Sequence, residues 1–108
     1  MTTRLDRWAD PPLLVLASLA EEPKHGYAIT QDVAATMGVK LGAGTLYAVI
    51  SRLEAQGLIE PLDEVDRRRP YRITMTGAEV LAQQASRMSK VASLAQARLR
   101  TGLGMAGA

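Results

Sequence analysis

Cysteine and phenylalanine are both absent from this chain of 108 residues, and histidine and tryptophan each occur once. Without Cys there is no disulfide, no thiolate zinc site and no thiol nucleophile, a usage that fits a reducing cytoplasm. His25, with no thiolate beside it, cannot build a protein metal site on its own. Aromatic residues make up only 4% of the chain, so the core must come from Leu, Val, Ile, Met and Ala. Long hydrophobic runs are missing too. The longest, Leu13 to Ala17, is far too short to span a bilayer. The opening MTTRLDRWAD carries charge but no apolar stretch, so no signal peptide is expected. With no metal cluster, no nucleophile–base pair and no phosphate loop, neither an enzyme nor a bound cofactor is expected, and the expected location is cytoplasmic.

Charge of one sign is scarce overall, but it is unevenly placed. Thirteen Lys and Arg stand against eleven Asp and Glu. Arg67, Arg68, Arg69 and Arg72 nevertheless fall within six residues, just after Asp63, Glu64 and Asp66. A focused basic cluster on a nearly neutral chain suits a localised anionic partner better than a membrane surface. A solvated charged turn is the plainer alternative.

The chain length fits one small domain. Asp10 before Pro11 reads as an N-cap with proline at the first helical position, and it opens a helix over 10–21. Pro23 ends that helix. A second helix over 25–37 places Tyr27 (or Ala28), Ile29, Val33 and Met37 near one face and stops at Gly38. Tyr27 is expected in the core, and His25 is expected to make a local hydrogen bond at the helix start. A third helix over 43–56 shows Leu46, Val49, Ile50 and Leu53 at helical spacing. A hairpin over 58–75, with strands in LIEPLDEV and YRITM, surrounds DRRRP. Pro61 must lie on an edge strand, because it has no N–H to give a ladder. Thr76, with Glu79 three residues on, reads as the capping box of a long helix over 78–101. Residues 102–108 read as a flexible tail. The predicted fold is mainly α with a small β-hairpin: a winged helix-turn-helix over 1–77, then a long C-terminal dimerisation helix.

The segment LGAGTLYAVISRLEAQGLIE poses the functional question. Its glycines do not form a nucleotide loop, because no strand precedes them and no third Gly or Lys follows at the required spacing. The helix buries Leu46, Val49, Ile50 and Leu53, which leaves Thr45, Ala48, Ser51, Arg52 and Gln56 on the other face. That face is small and polar near its start, and Gly44 removes a side chain where a duplex backbone would pass. Such a surface suits the first turns of a recognition helix. Lys40 stands ready to clamp a phosphate or simply to face solvent. Arg52 suits a phosphate or an ion pair. At a hairpin tip nothing fixes the geometry of Arg67, Arg68 and Arg69, so the wing is expected to supply affinity rather than sequence choice.

In the long helix, Leu81, Ala85, Met88, Ala92, Ala95 and Leu99 repeat at heptad spacing. Leu81 and Ala85 are expected to pack on their own domain. Met88, Val91, Ala92, Ala95 and Leu99 are expected to meet a second copy.

Three segments resemble the PadR family of bacterial transcriptional regulators: PLLVLASLAEEPKHGYAITQDV, GAGTLYAVISRLEAQGLIE and RRRPYRITMTGAEVL. The likeness is carried by His25-Gly26-Tyr27, Gly44-Thr45-Leu46-Tyr47, Arg52-Leu53-Glu54 with Gly57-Leu58-Ile59, and Tyr71-Arg72 with Thr74 and Thr76-Gly77. It spans about residues 12 to 85 in order and spacing. The resemblance implies a dimeric winged-helix repressor, with the third helix in the major groove of double-stranded DNA and Tyr47 at the DNA surface. It further implies a wing on backbone or minor groove, and a homodimer formed by the C-terminal helix. It also suggests a small hydrophobic or aromatic effector, for which Trp8 is the candidate pocket residue if it is not simply packed on the partner. Many members carry Ser-Pro before the Gly-Thr-Leu-Tyr element; this chain has Gly42-Ala43. The single C-terminal helix matches the short-tailed members. The rival reading is a winged-helix protein–protein interaction module without specific DNA binding.

Overall fold

The computed structural model describes residues 10–104. Trp8 and residues 105–108 of the expected tail lie outside the described residues. Helix α1 (Pro11–Glu21) opens on its two prolines; Asp10 is its N-cap residue but makes no side-chain cap bond. Strand β1 (Lys24–His25) leads directly into α2 (Gly26–Asp32). Helix α3 (Ala43–Ala55), strands β2 (Ile59–Pro61) and β3 (Pro70–Ile73), and the 28-residue α4 (Met75–Gly102) follow. Together they form a winged helix.

Leu46, Val49, Ile50 and Leu53 of α3 are all buried. They pack with Val15, Leu16 and Leu19 of α1, Ile29 of α2, and Leu58 and Ile59 at the wing's entry. The core is aliphatic throughout. Lys24 fastens the corner after α1: its Nζ donates to Ser18 O at 2.6 Å and meets Glu21 Oε1 at 3.1 Å. A cation there complements the carbonyl end of α1.

The sheet has three antiparallel strands in the order β1-β3-β2, one more than the expected hairpin. β3 pairs with β2 through Glu60–Arg72 and with β1 through His25–Pro70. β2 is an edge strand, which is where Pro61 is tolerated. A two-residue strand such as β1 is too short to show alternation, and only its tertiary pairing defines it.

Two further expectations are corrected. The helix over 25–37 is not uniform. Its last turn, Val33–Met37, widens to π geometry and closes at Gly38, which has φ +71°. Thr36 Oγ1 donates to Asp32 O at 2.7 Å, a back-bond that loosens a helix locally. The long helix begins at Met75 rather than 78, and its N-cap is Thr74, not Thr76. Thr74 wins because its hydroxyl does two jobs. It accepts from Gly77 N–H at 3.0 Å and donates to Gly57 O at 2.7 Å, so one side chain caps α4 and ties it to the turn before the wing.

α4 leans on the domain only through its first turns. Val80 and Leu81 pack against the core. From Ala85 onward every described residue is exposed, Ala85 included, which corrects its expected burial.

Candidate nucleic-acid interface

Helix α3 begins without a side-chain cap: Gly42, its N-cap residue, is extended at φ −74°, ψ 156°. Its first-turn amides have no side-chain acceptor, and an anion suits such a helix start. Lys40, Gly44, Thr45, Tyr47, Ser51 and Arg52 are all exposed. The face assigned to DNA from the residue pattern is therefore open. A Cβ built on Gly44 would meet nothing within 4 Å, so nothing inside the protomer requires glycine there.

Tyr47 is 54% exposed and leans across to α2. Its hydroxyl lies 2.7 Å from where a Gly26 Cβ would stand, so the missing side chain at Gly26 is what admits the phenol. Beyond this contact a cleft of about 390 Å³ opens between α2, α3 and the wing. Tyr27, Tyr47, Tyr71, Arg67 and Arg68 are among the residues that line it. Burial pushes the Tyr71 phenol above its ordinary value. The nearby Glu54 carboxylate and Tyr47 push the same way, against the Arg69 guanidinium. Tyr71 therefore stays protonated at neutral pH and adds no negative charge to a basic cleft.

The wing tip is a tight turn. Val65 and Arg68 exchange both backbone hydrogen bonds, at 2.8 and 2.9 Å, across Asp66 and Arg67. Both central residues have positive φ, 50° and 65°. That is the type I′ pattern, whose second position favours glycine. The chain instead places an arginine there, at a cost of about 1–2 kcal/mol in local conformational energy.

The four wing arginines do not behave alike, contrary to the expectation that nothing fixes the tip. Arg72 Nε donates to Glu60 Oε1 at 2.9 Å, and its Nη2 meets the same oxygen. Arg69 Nη1 donates to Leu62 O at 2.7 Å, and its Nη2 lies 3.8 Å from Glu64. Arg68 reaches back to His25 and sits over the Tyr27 ring, 5.9 Å from its centroid. Arg67 has no hydrogen bond or ion pair among the described residues. Exposed pairs such as Arg72–Glu60 are worth little and exchange readily for a phosphate.

Tyr27, expected in the core, is 60% exposed. Its helical spacing with Ile29 and Val33 suggests burial, yet Gly26 occupies the buried position and turns Tyr27 toward the wing. His25 makes the local bond expected of it: Nδ1 accepts from Ala28 N–H at 3.2 Å. The pattern did not reveal that His25, Tyr27 and Tyr71 join the same cleft as Tyr47. The only signal was the His-Gly-Tyr element itself.

On α4, Met88, Val91 and Leu99 are 43–54% exposed. Ala92 and Ala95 are exposed between them. Arg87, Lys90, Arg98 and Arg100 flank them, with no acidic residue after Glu79. Among the described residues, no helix is long and apolar enough to cross a membrane, and no cluster of metal-ligating side chains occurs.

A family model described as the transcriptional regulator PadR-like family matches residues 15–83. A 37.1 kDa protein from transposon TN4556 of Streptomyces fradiae is 42% identical over 85 residues, covering 79% of this chain but only 25% of that protein. The chain thus spans a quarter of that relative's length. A transcriptional regulator of Mycobacterium tuberculosis is 32% identical over 83 residues, covering 74% of this chain and 77% of that one. The crystal structure of a PadR family transcriptional regulator from Eggerthella lenta superposes with a TM-score of 0.74 at 32% identity. That match covers 90% of this chain and 88% of the other.

Proposed function

Because the chain belongs to the PadR-like family of transcriptional regulators, we propose that it works as a homodimeric, sequence-specific DNA-binding repressor in the cytoplasm. In this reading residues 1–77 bind DNA and 78–101 join the two copies. A small hydrophobic or aromatic effector relieves repression. Lys40, Gly44, Thr45, Tyr47, Ser51 and Arg52 approach the major groove. Arg67, Arg68, Arg69 and Arg72 neutralise phosphates.

The observation that carries the reading is the cleft joining α3 to the wing, where Tyr47 and the arginines at the tip face one space. A duplex seated on α3 would meet those cations without any rearrangement. The strained Arg67 supports it independently, since residues held in costly backbone regions cluster at functional sites.

Two substitutions separate this role from a structural one. Gly44→Val has open space in the protomer, so the far-UV spectrum is expected to stay helical. Operator binding is expected to vanish, because a branched side chain would stand where the duplex backbone comes close. Thr45 and Ser51 variants are expected to shift the preferred site. Selection of bound duplexes from a random pool tests this, and recovery of the parent's site by both variants would move base readout away from α3.

Arg67→Gly suits the type I′ turn better than arginine does, so it is expected to cost no stability and to add up to about 1 kcal/mol. Yet it should flatten the dependence of log K on log salt by about 0.9 per protomer, because one phosphate would no longer be neutralised. Fluorescence anisotropy at several salt concentrations reads this. An unchanged slope would make Arg67 a bystander. Binding that ignores salt altogether would favour a protein-docking module.

A further inference from the structure

His25 ends β1 and caps α2, and its ring is asked for two hydrogen bonds it cannot make together. Nδ1 lies 3.2 Å from the Ala28 backbone nitrogen, and Nε2 lies 3.2 Å from Arg68 Nη1. A backbone N–H only donates, and a guanidinium only donates. A neutral imidazole has one lone pair to offer; an imidazolium has none. One of the two contacts must therefore be unsatisfied.

The cap takes the lone pair. Ala28 N–H is among the first-turn amides of α2 and has no intrahelical acceptor. It is also partly buried, so leaving it unpaired is costly. With Nδ1 accepting, Nε2 carries the hydrogen. Two donors, His25 Nε2–H and Arg68 Nη1–H, then face each other across 3.2 Å. Backbone pairing of His25 with Pro70 in β3 holds the base of the wing against His25. The Tyr27 ring lies beneath the guanidinium. Asp66 lines the adjoining recess with His25 and Arg68 but makes no hydrogen bond or ion pair with either among the described residues. An anionic oxygen seated to one side of the pair, within hydrogen-bond reach of both nitrogens, would accept from both.

We propose that His25 and Arg68 form a two-donor clamp for a single backbone phosphate of the duplex. The clamp joins the start of α2 to the wing through one DNA oxygen. It rests on the DNA-binding reading and adds to it a residue outside α3 and outside the basic run. His25 then has two duties, with one ring nitrogen serving the fold and the other serving DNA.

The test separates those duties. His25→Asn keeps an acceptor for Ala28 N–H, since Asn is among the best N-cap residues, and its shorter amide places no donor where Nε2–H stood. Its melting curve is expected to match the parent's. In anisotropy titrations with a duplex bound by the parent, His25→Asn is expected to weaken binding about 10-fold and Arg68→Ala about 10- to 100-fold. The double variant should be little worse than Arg68→Ala alone, because the two donors share one acceptor.

A scan of methylphosphonate substitutions through the duplex should find one phosphate per half-site whose neutralisation weakens the parent at least 10-fold, weakens His25→Asn less, and leaves Arg68→Ala nearly unaffected. If His25→Asn melts early, His25→Ser, whose hydroxyl can also cap Ala28 N–H, takes its place in the scan. Parent-like affinity of His25→Asn, or a scan with no such position, would overturn the clamp while leaving DNA binding intact. Failure of the parent to bind any duplex in a salt-dependent way would overturn the DNA-binding reading and the clamp with it.

Discussion

Gly77→Ala is expected to destabilise the fold by about 3 kcal/mol, lowering the thermal midpoint by roughly 12–24 °C in a domain of this size. Helix propensity alone predicts the opposite, since alanine is favoured over glycine inside a helix by up to about 1 kcal/mol. The difference lies in what a methyl group would meet. A Cβ at position 77 would fall 2.0 Å from Leu58 O and 2.9 Å from Ile73 Cγ1. The Leu58 carbonyl cannot swing aside cheaply, because it accepts Thr74 N–H at 3.0 Å. Moving α4 outward instead would break the bonds of Thr74 to Gly57 O and Leu58 O. Gly102→Ala is the matched control: nothing lies within 4 Å of its Cβ, so a small gain or no change is expected. Circular dichroism melts at one protein concentration decide the matter, and a raised midpoint for Gly77→Ala would mean that the corner yields.

Loss of the dimer is the second large effect expected. Beyond Ala85, α4 rests on nothing in its own protomer, yet it carries Met88, Val91 and Leu99 half-exposed on one stripe with Ala92 and Ala95. A helix with so little support is marginal in water unless its apolar face is covered. A second copy of the same helix covers it in the proposed assembly, with the alanines allowing close approach. Removal of residues after Arg87 should therefore give monomers by sedimentation. Ala95→Asp in the intact chain should do the same, by placing a charge in the seam. Each should also weaken operator binding on the order of 10²- to 10⁴-fold, because the two half-site interactions would no longer be linked. A dimer mass for both variants would locate self-association elsewhere.

Much of this was legible from the residues. Leu46, Val49, Ile50 and Leu53 announce a helix with one buried face, and that helix is found with those four buried. Pro61 announces an edge, and β2 is one. Periodicity reports burial along a regular element, so it failed where regularity ends. It took Tyr27 for core because it could not see Gly26 filling the buried place beside Tyr47. It chose Thr76 as the cap because Glu79 completes a capping box, whereas Thr74 wins through a bond to Gly57, seventeen residues away. The arginine run read as four equal charges. Whether a charge is spoken for depends on partners such as Glu60 and Glu64, which the fold brings up from elsewhere in the chain.

Strand β1 is only two residues long, yet it has a mechanical consequence. It continues without a break into α2 and is hydrogen-bonded to β3, so the wing is riveted to the helix-turn-helix along its inner edge. In the proposed complex wing and α3 therefore meet a duplex as one pre-organised tool, and little conformational freedom is left to lose on docking. A tool that rigid cannot stretch or swing to suit a differently spaced pair of half-sites. In the proposed dimer that tolerance falls to α4, whose hold on the domain is its first turns alone. Modest bending there would set how far apart two half-sites can lie and still be read together.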